Sequence, residues 1–212
     1  MGDKWTLLIV RDLAGGPRRF VELQRVLPGI STEQLRSRLN RMVADGLLTR
    51  KRYREVPPRV DYELTERASE LMPVLGALGR WGYDWAWSTP RQGENVTVGA
   101  IMRLAPGLLH PAKGVTGKVE LTVKGDPVCA YTLTAHAGRV TLVERAAPDA
   151  DARVTGSENA WIKAFAPAGS NAGLRFTGDR GLAETLLEGL VAGPERAESA
   201  VPVEGVAAAR VA

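Results

Sequence analysis

Between Phe20 and Leu64 the chain changes twice between helical and extended patterning, and that change limits it to very few folds. Phe20, Leu23, Val26 and Leu27 recur at helical spacing. Pro28-Gly29 ends the run and forces a turn. Ser31, with Gln34 three residues on, forms a capping box that opens a second helix, whose Leu35, Leu39 and Met42 point inward. Asp45-Gly46 stops that helix. Leu48–Tyr53 and Val60–Leu64 have strand chemistry, and the proline-stiffened stretch Val56-Pro57-Pro58-Arg59 makes the tip between them. Helix, sharp turn, helix and two-stranded hairpin, in that order, is a winged helix-turn-helix.

What the second helix shows to solvent sets the first functional expectation. Thr32, Gln34, Ser37, Arg38 and Arg41 are side chains that can meet base edges, because arginine can bond guanine and glutamine adenine in bidentate fashion. Ser31 is a cap whose helix N-terminus can meet a phosphate. Arg18 and Arg19 precede a helix and are expected on the DNA backbone, and Arg50, Arg52, Arg54 and Arg59 on phosphate or in the minor groove. The net charge of +4 is modest but uneven. Residues 1–90 hold 15 Lys and Arg against 11 Asp and Glu, and residues 91–212 hold 13 against 13. Within Arg18–Arg59 the balance is 11 against four, an excess that attracts phosphate irrespective of sequence. The expected partner is double-stranded DNA.

The surrounding elements follow from similar signals. Trp5–Leu13 is an amphipathic helix with Trp5, Leu8, Ile9 and Leu13 on one face. Thr65 caps a helix that runs to about Trp87 and is bent by Pro73. Leu71, Met72, Leu75, Leu78 and Gly82 mark its apolar stripe, and Trp81, Trp85 and Trp87 crowd its end. That is more tryptophan than a small winged domain needs, so Leu78, Trp81 and Trp85 are candidate dimer contacts. A polar stretch with Pro and Gly, Ser88–Glu94, separates the halves. The expected division is a winged-helix domain at 1–88, a linker at 89–95, an α+β domain at 96–192 and a flexible tail at 193–212.

The second half reads as a helix Val98–Leu109 interrupted by Pro106, then strands Lys118–Val123, Ala130–Ala135, Arg139–Glu144 and Ala152–Thr155. Ser157 caps a helix with Trp161, Ile162 and Phe165; a short strand Leu174–Thr177 and a helix Leu182–Val191 capped by Asp179 follow. The only cysteine, Cys129, is expected to be a small buried filler, and a single cysteine permits no intrachain disulfide. No run of apolar residues is long enough to span a membrane, and the N-terminus lacks the pattern of a signal peptide, so a cytoplasmic protein is expected. His110 and His136 have no partners at triad or metal spacing, and Asp149 and Asp151 sit in a turn. No enzyme activity, metal or cofactor is expected.

Two resemblances sharpen the reading. The strings GDKWTLLIVRDL, GPRRFVELQRVLPGIS, LRSRLNRMVADGLLTR and YREVPPRVDYELTERA make residues 2–87 resemble the HxlR family of bacterial winged-helix regulators, relatives of MarR. That implies a homodimer on a two-fold operator, with Ser31–Val43 as recognition helix and Arg50–Arg59 as wing. Such regulators usually carry one more helix before the GKW-like string, often with a cysteine. Either the chain continues upstream or dimerisation relies on the Thr65–Trp87 helix and the second half. Thiol sensing is not expected. The strings AGRVTLVERAAPDADARVTGSENAWIKAF and LRFTGDRGLAETLLEGL make the second half resemble a sterol-carrier-protein domain. That implies helices over a mostly antiparallel sheet and an apolar ligand tunnel. Candidate liners are Ile101, Leu104, Leu108, Tyr131, Leu133, Val154, Trp161, Phe165, Phe176 and Leu186, with Tyr131 as a polar anchor. The two function classes in view are a ligand-responsive regulator and a carrier of lipid-like metabolites whose winged half is an interaction module.

Overall fold

The structure, a computed structural model, describes residues 3–54, 58–86, 97–166 and 169–190. Val56 and Pro57 of the hairpin tip, Trp87, the linker at 89–95 and the tail at 193–212 lie outside the described residues.

The first half is built around three helices and a small sheet. Helix α1, Lys4–Leu13, starts on Asp3, whose carboxylate accepts from the Trp5 and Thr6 amides at 3.1 and 3.2 Å. A two-residue strand β1, Arg18–Arg19, leads into α2, Phe20–Val26. Helix α3, Thr32–Ala44, follows the turn. The predicted capping box is present: the Gln34 amide donates to Ser31 Oγ at 3.1 Å, and the Ser31 amide donates to Gln34 Oε1 at 3.2 Å. Gly46 takes φ +70°, which lets the chain leave α3 and enter β2, Leu48–Tyr53. Strand β3, Arg59–Leu64, lies between β1 and β2 and pairs antiparallel with both. Ile9, Val10, Leu23, Leu35, Leu39 and Met42 close the core beneath.

One long helix from Thr65 was expected, and two are found: α4, Glu66–Ser69, and α5, Met72–Ala86. Thr65 caps as predicted. Pro73 has no amide hydrogen, and its ring would strike the carbonyl of Ser69, so the helix stops at Ser69 and restarts with proline in its first turn. The same physics acts further on. The run Val98–Leu109 forms α6, Val98–Met102, and α7, Ala105–Leu108, with Pro106 again in a first turn.

The remainder is an α+β layer. Strands β4 (Gly117–Lys124), β5 (Cys129–His136), β6 (Arg139–Val143), β7 (Ala152–Ser157) and β8 (Arg175–Gly178) form a sheet of order β6-β5-β4-β7-β8. Only the β4–β7 pair is parallel; the others are antiparallel. Helix α8 is Glu158–Phe165 and α9 is Arg180–Leu190. One sheet face, with Val119, Leu121, Leu133 and Val154, is buried with side chains of α6 to α9. Cys129 departs from expectation: it opens β5 at the end of the sheet and is exposed rather than buried.

The halves are joined in two ways. Helix α5 crosses α7 at a point where only glycine fits: a Cβ on Gly76 would lie 2.0 Å from the Gly107 carbonyl oxygen, and one on Gly107 would lie 2.0 Å from that of Met72. Beside this crossing, Arg103 is 5% exposed and Asp12 is not exposed at all. Arg103 donates to Asp12 Oδ1 at 3.1 Å and to the two Glu144 oxygens at 2.7 and 3.3 Å. Burial alone would lower the Arg103 pKa, but Glu144 and Asp12 outweigh it and raise it. Burial likewise works against ionised Glu144, and Arg103 and Arg18 override it to hold the carboxyl below its ordinary range.

Candidate nucleic-acid interface

Helix α3 turns Leu35, Leu39 and Met42 inward, which leaves Glu33, Arg36, Ser37, Asn40 and Arg41 exposed on its other side. Arg36 and Asn40 also belong to this exposed surface, beyond the base-contact residues expected from the sequence. Helical phase alone finds them, since each is one turn from Glu33 or Ser37. Arg41 is 72% exposed at its side chain and pairs with Asp45 at 3.0 Å, a contact that costs little to exchange for another. Thr32 is exposed, and its Oγ1 accepts from Gln24 Nε2 at 2.7 Å. Gln34 is exposed, but its Oε1 is engaged in the cap. A bidentate contact with adenine needs both ends of that amide, so Gln34 can make one only by giving up the box.

Arg38 sits differently. It is half-buried and forms an ion pair with Asp3 at the start of α1, at 3.0 Å. Burial opposes ionisation of Asp3, but hydrogen bonds from Thr6 and the Arg38 charge win and lower its pKa. A base contact from Arg38 therefore requires leaving that pair.

The wing carries the freer charge. Arg50, Arg52 and Arg54 are exposed, and no carboxylate pairs with them among the described residues. Lys51 pairs with Glu63 across the hairpin, and this partner raises its pKa. Arg59 is held at the tip end of the hairpin, opposite Tyr53. It donates to Asp61 at 2.5 Å and stacks 4.7 Å over the Tyr53 ring. The Arg59 hydrogen bond keeps buried Asp61 below the usual carboxylate range.

Arg18 corrects the expectation of a backbone contact. Its guanidinium reaches both Glu144 oxygens, at 2.5 and 2.6 Å, and the Asp12 carbonyl at 2.7 Å. A side chain only 14% exposed and turned into the junction is not on the surface of α3 and the wing. Its neighbour Arg19 is exposed.

The proposed tunnel liners separate into two groups. Tyr131, Leu133, Val154, Trp161 and Leu186 are closed into the core between sheet and helices. Burial pushes the Tyr131 phenol up to about 12. Phe176 is half-buried under the Arg180 guanidinium. Ile101, Leu104, Leu108 and Phe165 instead line a cavity at the junction with α5.

Residues 1–90 match the model of the HxlR-like helix-turn-helix family. Over 94 residues the chain is 39% identical to the uncharacterized HTH-type transcriptional regulator YkvN of Bacillus subtilis, a match covering 44% of this chain and 80% of that one. The chain belongs to the HxlR-like helix-turn-helix family. It is also 44% identical over 85 residues to the uncharacterized HTH-type transcriptional regulator sll1512 of Synechocystis, covering 40% of this chain and 63% of the relative. Among solved structures, the reduced form of the transcriptional regulator YodB from B. subtilis is 32% identical, covering 40% of this chain and 82% of that one, with a TM-score of 0.37. In this HxlR-like chain, then, the helix-turn-helix and wing are α2, α3 and the β2–β3 hairpin.

Proposed function

We propose that this HxlR-like chain is a cytoplasmic transcriptional regulator that binds a two-fold operator in double-stranded DNA as a homodimer, and that its second half, a sterol-carrier-like α+β domain, serves binding of an apolar small molecule. The observation that carries the DNA reading is the exposure of Ser37, Asn40 and Arg41 on α3 together with that of Arg50, Arg52 and Arg54 on the wing. Helix α3 is long enough to enter a major groove, and the wing arginines suit phosphate or the minor groove.

Helix α5 supports the homodimer. Val74, Leu78, Trp81 and Trp85 are 50–62% exposed and fall on one stripe, while Met72, Leu75 and Gly76 pack against the rest of the chain. A helix apolar on opposite sides wants both covered. Recognition helices in successive major grooves, about 34 Å apart, require a two-fold partner, and a second copy meeting along α5 supplies one. The sheet order β6-β5-β4-β7-β8 under helices supports the α+β reading of the second half.

The test is selection of duplexes from a random pool by the full chain, followed by titration at several salt concentrations. A palindromic consensus with steeply salt-dependent affinity is expected. Recovery of no consensus, with binding independent of sequence, rules the operator reading out.

A further inference from the structure

Helix α5 carries Gly76, Gly79 and Gly82 at three-residue spacing. Glycine weakens a helix relative to alanine, so each position calls for a reason. Gly76 has one in the Gly107 carbonyl, and Gly79 has one in Leu104 Cδ1, which a Cβ would approach to 3.2 Å. Gly82 has none of this kind, because a Cβ there would meet nothing within 4 Å. What lies beside it is a cavity of about 310 Å³ between α5 and the second half. Ile101, Leu104, Leu108, Phe165 and Leu190 supply apolar walls, and Tyr83 adds an aromatic one. Arg80 also lines the cavity and is exposed overall, which puts its charge at the rim. Its Nη2 donates to the Leu108 carbonyl at 3.0 Å, and it forms no ion pair among the described residues.

We infer that this junction cavity binds a small monocarboxylic acid, with the apolar body between α5 and helices α6 to α9 and the carboxylate on Arg80. The inference rests on the reading that the second half takes an apolar ligand, and it moves the site from within the sheet–helix layer to the boundary with the DNA-binding half. Size sets the first limit: at roughly 30 Å³ per non-hydrogen atom, the cavity holds about ten, an acid of octanoate size. Charge sets the second. One guanidinium with donors to spare matches one carboxylate in bidentate fashion, whereas a neutral ligand leaves that charge unused. Among the described residues the lining offers no second cation for a dianion. The position also has a consequence. The ligand wedges against the helix whose opposite side carries Leu78, Trp81 and Trp85. Any shift of α5 reaches the surface assigned to the second copy, and ligand and operator then alter each other's affinity by the same factor.

Calorimetric titration of the full chain with octanoate and with 1-octanol, its neutral counterpart, tests the site. Octanoate is expected to bind once per chain and about tenfold more tightly than octanol, the size of one charge-assisted contact at a rim. Arg80→Gln should weaken octanoate about tenfold and leave octanol unchanged. Gly82→Leu, which fills the cavity without a backbone clash at Cβ, should remove both. No binding, equal affinity for acid and alcohol, or wild-type affinity in Gly82→Leu each overturns the assignment. Circular dichroism confirms that both variants are folded. DNA titrations with and without octanoate keep the two readings apart. Failure to select an operator defeats the regulator reading and leaves the binding result intact, whereas operator binding without octanoate uptake does the reverse.

Discussion

Replacing Arg103 by methionine should destabilise the chain by about 3 kcal/mol at neutral pH, because it removes one partner from a buried charged cluster and leaves the others in place. Arg103 is 5% exposed and makes three hydrogen bonds to two carboxylates. Among the described residues Asp12, with no exposure, keeps only the Arg11 ion pair at 2.8 Å, and Glu144 keeps Arg18. That residual pairing puts the cost at the low end of the 3–5 kcal/mol typical for breaking a buried pair. For a chain of this length about 3 kcal/mol corresponds to roughly 6–12 °C in melting temperature. The pH dependence gives the sharper signature. Glu144 is depressed below its ordinary 4.5 by Arg103 and Arg18, against the opposing effect of burial. A carboxylate depressed in the folded state contributes stability above its unfolded pKa, and that contribution is lost as pH falls through the folded value. The gap between wild type and Arg103→Met should therefore be full at pH 7 and shrink below about pH 4.5, as the carboxyl left behind in the variant takes a proton. Urea unfolding of both proteins at pH 7 and pH 4 measures it. Equal stability at pH 7, or a gap that widens in acid, would refute the idea that these charges hold the halves together.

Three further outcomes are expected. Arg52→Ala should weaken all DNA sequences alike and lower the slope of log affinity against log salt by roughly 0.9 if it meets one phosphate, whereas Arg18→Ala should leave that slope alone and lower the melting temperature; the two variants compared in one salt series decide it. Trp81→Glu, on the exposed stripe, should leave the fold intact and yield monomers in the ultracentrifuge with at least tenfold weaker operator binding, and a variant that still sediments as the wild type does would exclude the stripe from the contact. Gly107→Ala should cost about 1–3 kcal/mol by denaturant titration, since its methyl would press on the Met72 carbonyl and force α5 off α7.

Much of the first half was legible in the residues because its signals are local. The Ser31–Gln34 box, the inward set Leu35, Leu39 and Met42, and the paired strands Leu48–Tyr53 and Val60–Leu64, the second of which starts one residue earlier at Arg59, each depend on neighbours within a few positions or across one hairpin. Proline positions were legible too, although their effect was underestimated: Pro73 and Pro106 divide helices that were expected to bend or be interrupted in place. The strands and helices of the second half follow the same local patterning, apart from exposed Cys129 at a strand end.

What the residues by themselves determined is which segments are helix or strand, which side of each is apolar, and where the positive charge concentrates. What only the tertiary structure decided is which charges remain available and where empty space is left. Arg18 and Arg52 look alike in the sequence; one is drawn into a cluster with Glu144, 126 positions away, and the other stays in solvent. Arg38 is taken back by Asp3. The cavity beside Gly82 opens between α5 and the second half, where α5 rests on α7 through two glycines 31 positions apart. Capping, phase and turn chemistry act over a few bonds, so composition and spacing record them. Ion pairing and cavity formation act through space between segments whose meeting is set by the packing of the whole, so no local pattern carries them.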